Sequence, residues 1–489
     1  MPWAIDAFAR ARHEAKPVLL SIVTPWSEAC AEMDRTTYAD AGIAAAIDND
    51  FVPVRVDADR RPDIAERYGL DVWPTTAFLT PDGAMITGGL FMPADRLLAA
   101  LAQVRDAFVA RRDELLDSHE RWHAAEPAPA NPPTSTPISD AELETLVFES
   151  FDVEHGGFGG APKFPLTAPL ALALELYEGS RDAGLAQIVQ TSLDGMGWGP
   201  LYDENDGGFY RCAAEPDWSA PQPEKLLETN AALLRLYLDA ADILRVARYR
   251  ERAAETLRFV QTWLADPVDG GWMVSVPVPP GAGGALAGAL VRGDVFYAGW
   301  NAAMAGAALR ASLSFDDKSL GEFALKSLER VLIGCYRPGA GVAHCYEPPH
   351  GASVRGLLDD QMAMADAQLD AYEATGNIVY EMMAQELAHY AVRTMWDERG
   401  GGFFDRSEVE VEERIGRMRD RVKPFVANCE AGRILKRLAA ATGDQSFAAL
   451  ADATLAAVAV QAAAQGPLAA YYLRARRVPA GQSDKLAGK

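Results

Sequence analysis

Several features are scarce in this 489-residue sequence, and each scarcity excludes a class of function. Five cysteines, Cys30, Cys212, Cys335, Cys345 and Cys429, are scattered without paired spacing, so neither a disulfide framework nor a zinc knuckle is expected and no metal site is assigned. The apolar run around Leu455 to Ala464 is Ala-rich, interrupted by Gln461 and too short to span a bilayer, so no membrane association is expected. The opening stretch MPWAIDAFARARHEAK has no apolar core of a signal peptide, and with unpaired thiols this leads us to expect a reducing, cytoplasmic setting. Positive charge is also short: the net charge of −23 leaves no Lys/Arg patch to neutralise phosphates, which argues against nucleic acid. No phosphate-cradling Gly loop and no Gly-x-Ser-x-Gly elbow occurs, and no cofactor is expected.

What is present is first a set of repeated turns. An aromatic or aliphatic residue, one or more acids, Gly-Gly and an aromatic recur at Phe151 to Phe158, Tyr202 to Phe209, Asp269 to Trp272 and Trp396 to Phe403, with a degraded copy at Tyr336 to His344. Between them, twelve Ala- and Leu-rich spans with helical period run from about residue 140 to 477. Helix pairs closed about six times by such turns describe an all-α (α/α)6 toroid over residues 139–480, with inner helices around a central pocket. Gly-Gly supplies the positive φ of a tight turn, so the turns themselves are read as structural.

Residues 1–125 read differently. VLLSIV at Val18 to Val23, FVPVRVD at Phe51 to Asp57, the run Val72 to Leu79 and a short one near Met85 are strands alternating with helices, which predicts an α/β domain around a mixed sheet. Glu126 to Pro137, with five prolines, makes residues 126–138 a stiff linker, and residues 481–489 are read as a disordered tail. Trp26-Ser27-Glu28-Ala29-Cys30 opens the helix after the first strand, and Trp73-Pro74-Thr75 precedes the third. That order resembles thioredoxin, and the likeness implies a cis Pro74. Ser27 stands where an attacking thiol would be, so the motif Trp26, Ser27, Cys30, Pro74 is read as a degenerate redox motif without a dithiol, and Cys30 as a small buried hydrophobe.

Inner helices that follow the turns present their first residues to the pocket. This reading selects Lys163, Phe164, Glu224, Lys225, Glu228, Asn230, Trp300, Asn301, Asp360 and Asn428 as pocket residues. Acid–base work on a sugar needs two carboxylates or a poised histidine; Glu224, Asp360 and the loop residue His344 are the candidates, with Glu228, Asp203, Asp206 and Asp359 as further acids.

The motifs GGFGGAPKFP, DGGFYR, PEKLLETN, WNAAM, LDDQMA and YEATGN, in this order behind the first module, resemble the thioredoxin-domain family of spermatogenesis-associated proteins and their bacterial relatives. The toroid resembles the six-hairpin glycosidase and N-acylglucosamine 2-epimerase superfamily. The resemblance implies a sugar-sized pocket and a carbohydrate-related hydrolase or isomerase. It leaves open a non-catalytic descendant that binds a sugar-like ligand, or a protein partner through the thioredoxin-like module, and, less favoured, a single-thiol redox protein. The chain departs from the family pattern at Ser27, at Pro221 to Thr229, at Asp360-Gln361-Met362 and at Val426-Ala427-Asn428, each a loss of a polar or aromatic group.

Overall fold

A computed structural model describes residues 1–70, 72–111, 138–275, 295–409 and 413–478. The Pro-rich stretch 126–137 and the tail 481–489 lie outside the described residues. The chain divides into two compact units, Met1–Thr134 with Glu408–Arg421, and Ser135–Ser407 with Val422–Lys489.

In the first unit, β1 (Val18–Val23), β2 (Val52–Asp57), β3 (Thr75–Leu79) and β4 (Met85–Gly89) form a sheet in the order β2-β1-β3-β4, with β1 and β2 parallel and the other pairs antiparallel. The central strand β1 is buried along its whole length, because helices cover both faces and each alternate side chain meets apolar neighbours. Leu20 and Ile22 join Phe8 of α1 (Ile5–Glu14) and Tyr68 of α4 (Pro62–Tyr68), whereas Leu19 joins Phe51 and the helices α3 (Ala41–Asp50) and α5 (Ala94–Ala110). The short α2 (Glu28–Met33) is capped by Ser27, whose Oγ accepts the Cys30 N–H at 3.4 Å. The Trp73–Pro74 peptide is cis, as the thioredoxin likeness implies. Glu408–Arg421, which the sequence places within the span of the toroid, belongs to this unit: Ile415 and Met418 lie in the apolar cluster with Phe8 and Tyr68.

The second unit contains, among the described residues, twelve long helices. An inner ring of α7 (Thr167–Ser180), α9 (Leu227–Leu244), α11 (Ala298–Phe315), α13 (Leu358–Thr375), α15 (Phe425–Thr442) and α17 (Ala469–Arg477) closes on itself, since α17 packs against both α15 and α7. The outer helices are α8 (Ala183–Gly197), α10 (Ala247–Phe259), α12 (Lys318–Cys335), α14 (Ile378–Met395), α16 (Gln445–Val458) and α6 (Asp140–Glu149), which packs on α17. This is the (α/α)6 toroid expected from the repeat. Gln445–Arg477 is long and apolar enough by composition to cross a membrane. It is nevertheless broken at Gly466-Pro467, and its pieces pack within the ring.

The repeated turns share one mechanism. Asp203 begins a loop in which its Oδ1 accepts the N–H groups of Asn205 and Asp206, while its own N–H and C=O pair with Gly208 and Gly207. Its Oδ2 holds Lys225 Nζ at 2.5 Å, and the same ammonium donates to the Gly207 carbonyl. Asp152 with Lys163, Asp266 with Arg330 and Asp397 with Lys423 repeat the ion pair. Gly208 has φ +80°, and a Cβ there would meet the Phe259 ring at 2.4 Å, so both backbone sign and space require glycine. The copy at Tyr336 to His344 has become a hairpin of β6 (Tyr336–Arg337), β7 (Gly341–Glu347) and β8 (Gly351–Arg355), with β5 (Phe296–Tyr297) paired to β7.

Candidate functional site

The turns also account for five of the residues that the sequence assigns to the pocket. Asn230 accepts the Phe209 N–H at 2.8 Å and returns two bonds from Nδ2, to the Phe209 and Leu226 carbonyls. Asn301 treats Trp272 and Tyr297 in the same way, and Asn428 treats Phe403 and Pro424. Gln361 does so for Val342 and Leu357. With both ends of each amide engaged and the side chains almost fully buried, Asn230, Asn301 and Asn428 have nothing to offer a ligand; they are clamps that sew each turn to the next inner helix. Lys163 and Lys225 are likewise buried against Asp152 and Asp203 rather than directed at a pocket. Burial would raise Asp203, but the Lys225 bond and the turn N–H groups outweigh it and hold the carboxyl below its usual range.

What faces the lumen is marked by exposure recurring at helical spacing. Along the first three turns of α9 the less buried positions are Glu228 with Thr229, then Ala232, Arg235 and Asp239; along those of α13 they are Asp359, Ala363, Asp366 and Asp370. Glu228 and Asp359, one at the start of each inner helix, are exposed to solvent, and Glu228 lines the cavity described below. Neither carboxylate has a hydrogen-bond or ion-pair partner among the described residues. Burial, followed by the charges of Asp360, Glu228 and Asp405, pushes Asp359 up to about 6 against the opposing effect of His344. Burial also raises Glu228.

Asp360, the next residue on α13, is buried and takes both its oxygens to His344 Nδ1 at 3.0 Å. It also accepts the Gly299 N–H at 3.2 Å from the first turn of α11. Strand β7 carries His344, whose ring stacks on Tyr297 at 5.0 Å between centroids, and Tyr297 in turn meets Trp300 edge-on at 5.4 Å. The sequence-selected pair Asp360 and His344 is therefore brought together. Glu224 is buried elsewhere, 3.8 Å from Arg211 Nε, and the Arg211 guanidinium lies over the half-exposed Phe164 ring at 5.7 Å.

Phe164, Arg211, Leu226, Glu228, Thr229 and Tyr471 line a cavity of about 370 Å³, the scale of a monosaccharide or disaccharide unit. Burial with the charges of Glu430 and Glu228 pushes the Tyr471 hydroxyl up to about 12, which keeps it protonated and able to donate. Further along the inner helices, Arg235, Arg433 and Arg437 bind Asp366 and Asp370 at 2.5 to 2.8 Å. Burial opposes ionisation of those aspartates, but the arginines outweigh it and hold both below the usual range, Asp366 the further, so this layer is a charged floor with its groups mutually paired. Among the described residues, no group of three His, Cys, Asp or Glu is placed to hold a metal ion. Sequence reasoning passed over Tyr471, Arg211 and Tyr297, and did not separate Asp359 from the abundant acids. The spacing Glu228, Ala232, Arg235, Asp239, repeated at Asp359, Ala363, Asp366, Asp370, is the signal that would have found the lumen face.

In the first unit, Cys30 is only 3% exposed, and burial raises its thiol despite bonds from Thr24 and Ser27. Trp26 Nε1 donates to Asp59 at 2.5 Å. A cleft of about 630 Å³ bordered by Thr24, Pro25, Cys30, Arg55 and Asp57 adjoins α2.

Comparison with known proteins matches both halves of this architecture. Residues 1–125 match the family model Thioredox_DsbH, described as a protein of unknown function, DUF255. The chain is 28% identical to human spermatogenesis-associated protein 20 over 285 residues, which is 53% of this chain and 36% of that protein. It is 28% identical to an uncharacterized protein of Caenorhabditis elegans over 260 residues, 49% of this chain and 35% of that one. These matches span little more than a third of the relatives' own length. Among solved structures, the cellobiose 2-epimerase of Bacillus thermoamylovorans superposes with a TM-score of 0.53 at 12% identity, covering 64% of this chain and 85% of that one. A GH76 alpha-mannanase of Bacteroides thetaiotaomicron superposes with a TM-score of 0.52 at 10% identity, covering 68% and 93%. At such identities the likeness is one of fold. The chain thus resembles the thioredoxin-domain family in its first unit and the epimerase and glycosidase toroids in its second.

Proposed function

We propose that the lumen of the toroid binds a sugar-like ligand and exchanges a proton with it. Asp359 is the exchanging group, and the His344–Asp360 pair is the second acid–base group. The observation that carries this reading is the Asp359 carboxyl at the start of inner helix α13, which has no hydrogen-bond or ion-pair partner among the described residues and is pushed up to about 6 by burial and the neighbouring charges of Asp360 and Glu228, towards the range that suits a general acid or base. Support comes from the aromatic side chains of Phe164 and Tyr471, which line the cavity of matching size and suit the apolar face of a sugar ring.

Two reaction types use such a site. Two lumen carboxyls on different inner helices, Glu228 and Asp359, favour hydrolysis of a glycosidic bond. A histidine oriented by a buried carboxylate, His344 on Asp360, would serve isomerisation of a reducing sugar. Incubation with a panel of glycosides and reducing sugars, read by chromatography, separates them: bond cleavage or epimer formation that disappears in Asp359→Asn is expected. Binding of sugars without turnover in the native protein would replace this reading with a ligand-binding toroid, and no binding of any sugar would refute both. For the first unit, the buried Cys30 and the hydroxyl at Ser27 support a module that is not a dithiol oxidoreductase and that serves for support or protein docking. Among the described residues the cysteines form no disulfide, in keeping with a reducing, cytoplasmic setting.

A further inference from the structure

Four inner helices of the toroid share one register. Glu228, Gly299, Asp359 and Val426 are the second residues of α9, α11, α13 and α15, and two residues later each helix carries its turn clamp, Asn230, Asn301, Gln361 or Asn428. The clamps set the four helices at the same height against their turns. From there the lumen positions recur at steps of four, three and four residues. Gly299, Ala303, Gly306 and Arg310 on α11, and Val426, Glu430, Arg433 and Arg437 on α15, repeat the spacing already seen on α9 and α13. Residues equally far from their helix starts therefore form one layer of the lumen.

The layers differ in chemistry. The rim layer holds the carboxyls of Glu228 and Asp359. The next, about 6 Å deeper at 1.5 Å per residue, consists of Ala232, Ala303 and Ala363 with Glu430, so three of the four helices leave it open. The cavity that contains Tyr471 is lined on α9 by Glu228, Thr229 and Ala232, and its described lining stops short of Arg235. The two layers below are ionic. Arg235 of α9 reaches Asp370 of α13 at 2.8 Å, although α11 stands between those helices in the ring. It can do so because α11 has a glycine at that level: a Cβ on Gly306 would stand 2.5 Å from Asp370 Oδ2 and 3.5 Å from Arg235 Nη1. Asp366 and Asp370 continue the network to Arg433 and Arg437 of α15, and Arg310 of α11 turns to Asp239 of α9. Removing one member of such a set strands its partner's charge, so these layers act as a fixed floor.

We propose that the toroid takes its ligand end-on: the terminal unit of a chain, or a free mono- or disaccharide, stands in the alanine layer between the rim carboxyls and the Arg–Asp floor. An internal unit could enter only through a second exit or a side groove; the floor closes the first and the ring of helices the second. The floor limits the depth to about one sugar ring, and Gly306, by letting Arg235 meet Asp370, is the specificity-determining residue that closes it. That the ligand is a sugar rests on the reading of the lumen given above; the end-on geometry does not.

The test uses the full chain and needs no substrate. Ala232→Cys places a thiol in the cavity, and the native chain, whose cysteines are buried, is the blank. A small methanethiosulfonate is expected to label it, and the same group on the end of a long linear polyethylene glycol to do so within about tenfold of that rate. The group mounted at the middle of such a chain is expected to be at least about a hundredfold slower, since thiol exchange follows access. Ala303→Cys, exposed in the same layer, serves if the first variant does not fold. Mid-chain labelling as fast as end-on labelling would overturn the proposal, as would a thiol that the small reagent does not reach. For a sugar found to bind, the free form is expected to protect the thiol and a cyclic oligosaccharide of the same units, which has no end, to leave it reactive; equal protection would again overturn end-on binding. Protection by no sugar at all would sink the sugar reading and leave the labelling result standing.

Discussion

Replacing Asn230 by alanine distinguishes a turn clamp from a ligand contact, and the structure sets the size of the effect. Asn230 and Phe209 are both fully buried, so removal of the amide leaves the Phe209 N–H without its acceptor and out of reach of water. An orphaned buried donor costs roughly 1–3 kcal/mol. The Phe209 carbonyl loses the Nδ2 donor at about 1 kcal/mol, while the Leu226 carbonyl keeps the Asn230 N–H and loses less. Alanine regains roughly 0.5 kcal/mol of helix propensity. The expected net loss is therefore about 3 kcal/mol of toroid stability, with Thr229→Ala next door changing it by less than about 0.5 kcal/mol. Asn230→Asp sharpens the comparison: it keeps the acceptor for Phe209 but replaces the Nδ2 amide, which donates to two carbonyls, by a carboxylate oxygen that faces both. It is expected to destabilise at least as much at neutral pH and to recover in part as acid protonates the carboxyl. The assay is guanidinium unfolding of the toroid, with ligand binding measured in parallel. A loss below about 1 kcal/mol accompanied by abolished ligand binding would show that Asn230 faces the pocket and refute the clamp.

The buried Lys225–Asp203 pair makes a related prediction: Lys225→Met leaves the carboxylate uncompensated and is expected to cost about 3–5 kcal/mol, with partial recovery when Asp203→Asn is added. An additive double variant would refute the pairing. The four turn aspartates, Asp152, Asp203, Asp266 and Asp397, are all held below their usual range. Depressed carboxyls contribute stability that is complete above the unfolded pKa of about 3.9 and is lost as pH falls through the folded values. Melting temperature should hence fall below about pH 4, and equal stability at pH 3 and pH 6 would contradict it. Glu228→Gln removes one of the negative charges that raise Asp359, so its midpoint should drop from about 6, read by carboxyl carbon NMR; a rise would show that the two do not share the lumen. Cys30, buried and raised, is expected to resist iodoacetamide at neutral pH in the native chain, and alkylation at the rate of a free thiol would refute its burial.

The toroid was legible because its signals are local. Helical period, Gly-Gly turns and one strand-rich module before a Pro-rich stretch are each set within a few residues, and the twelve spans fall close to the observed helices. The engagement of Glu408–Arg421 by the first unit was not legible, because it depends on contacts such as Arg67 with Arg417 that lie some 350 residues apart and leave no periodic mark. The decayed turn at Tyr336 to His344 is present within the β6–β8 hairpin, but its clamp was not legible: Gln361, one methylene longer than Asn, clamps Val342 as the asparagines clamp their aromatics, and nothing in Asp360-Gln361-Met362 announces that substitution of reach.

The site itself was half legible, and helical geometry explains which half. With about 100° per residue, positions two apart on a helix point some 200° away from one another. Glu228 and Asn230, Asp359 and Gln361 are such pairs, so the sequence reading that sends both Glu228 and Asn230 to one pocket contradicts the helix it has just predicted. The first of each pair opens into the lumen and has no partner; the second turns away from it and is fully engaged with the preceding turn. Each of these inner helices thus uses one end for two tasks, and the burial of the clamp is what holds the exposed carboxyl at a defined height in the ring. Asp360 lies between the two positions on α13, within reach of the hairpin residue His344, which is why the acid chosen from sequence proves to be the buried, histidine-paired neighbour of the exposed one and Asp359 the one left for a ligand.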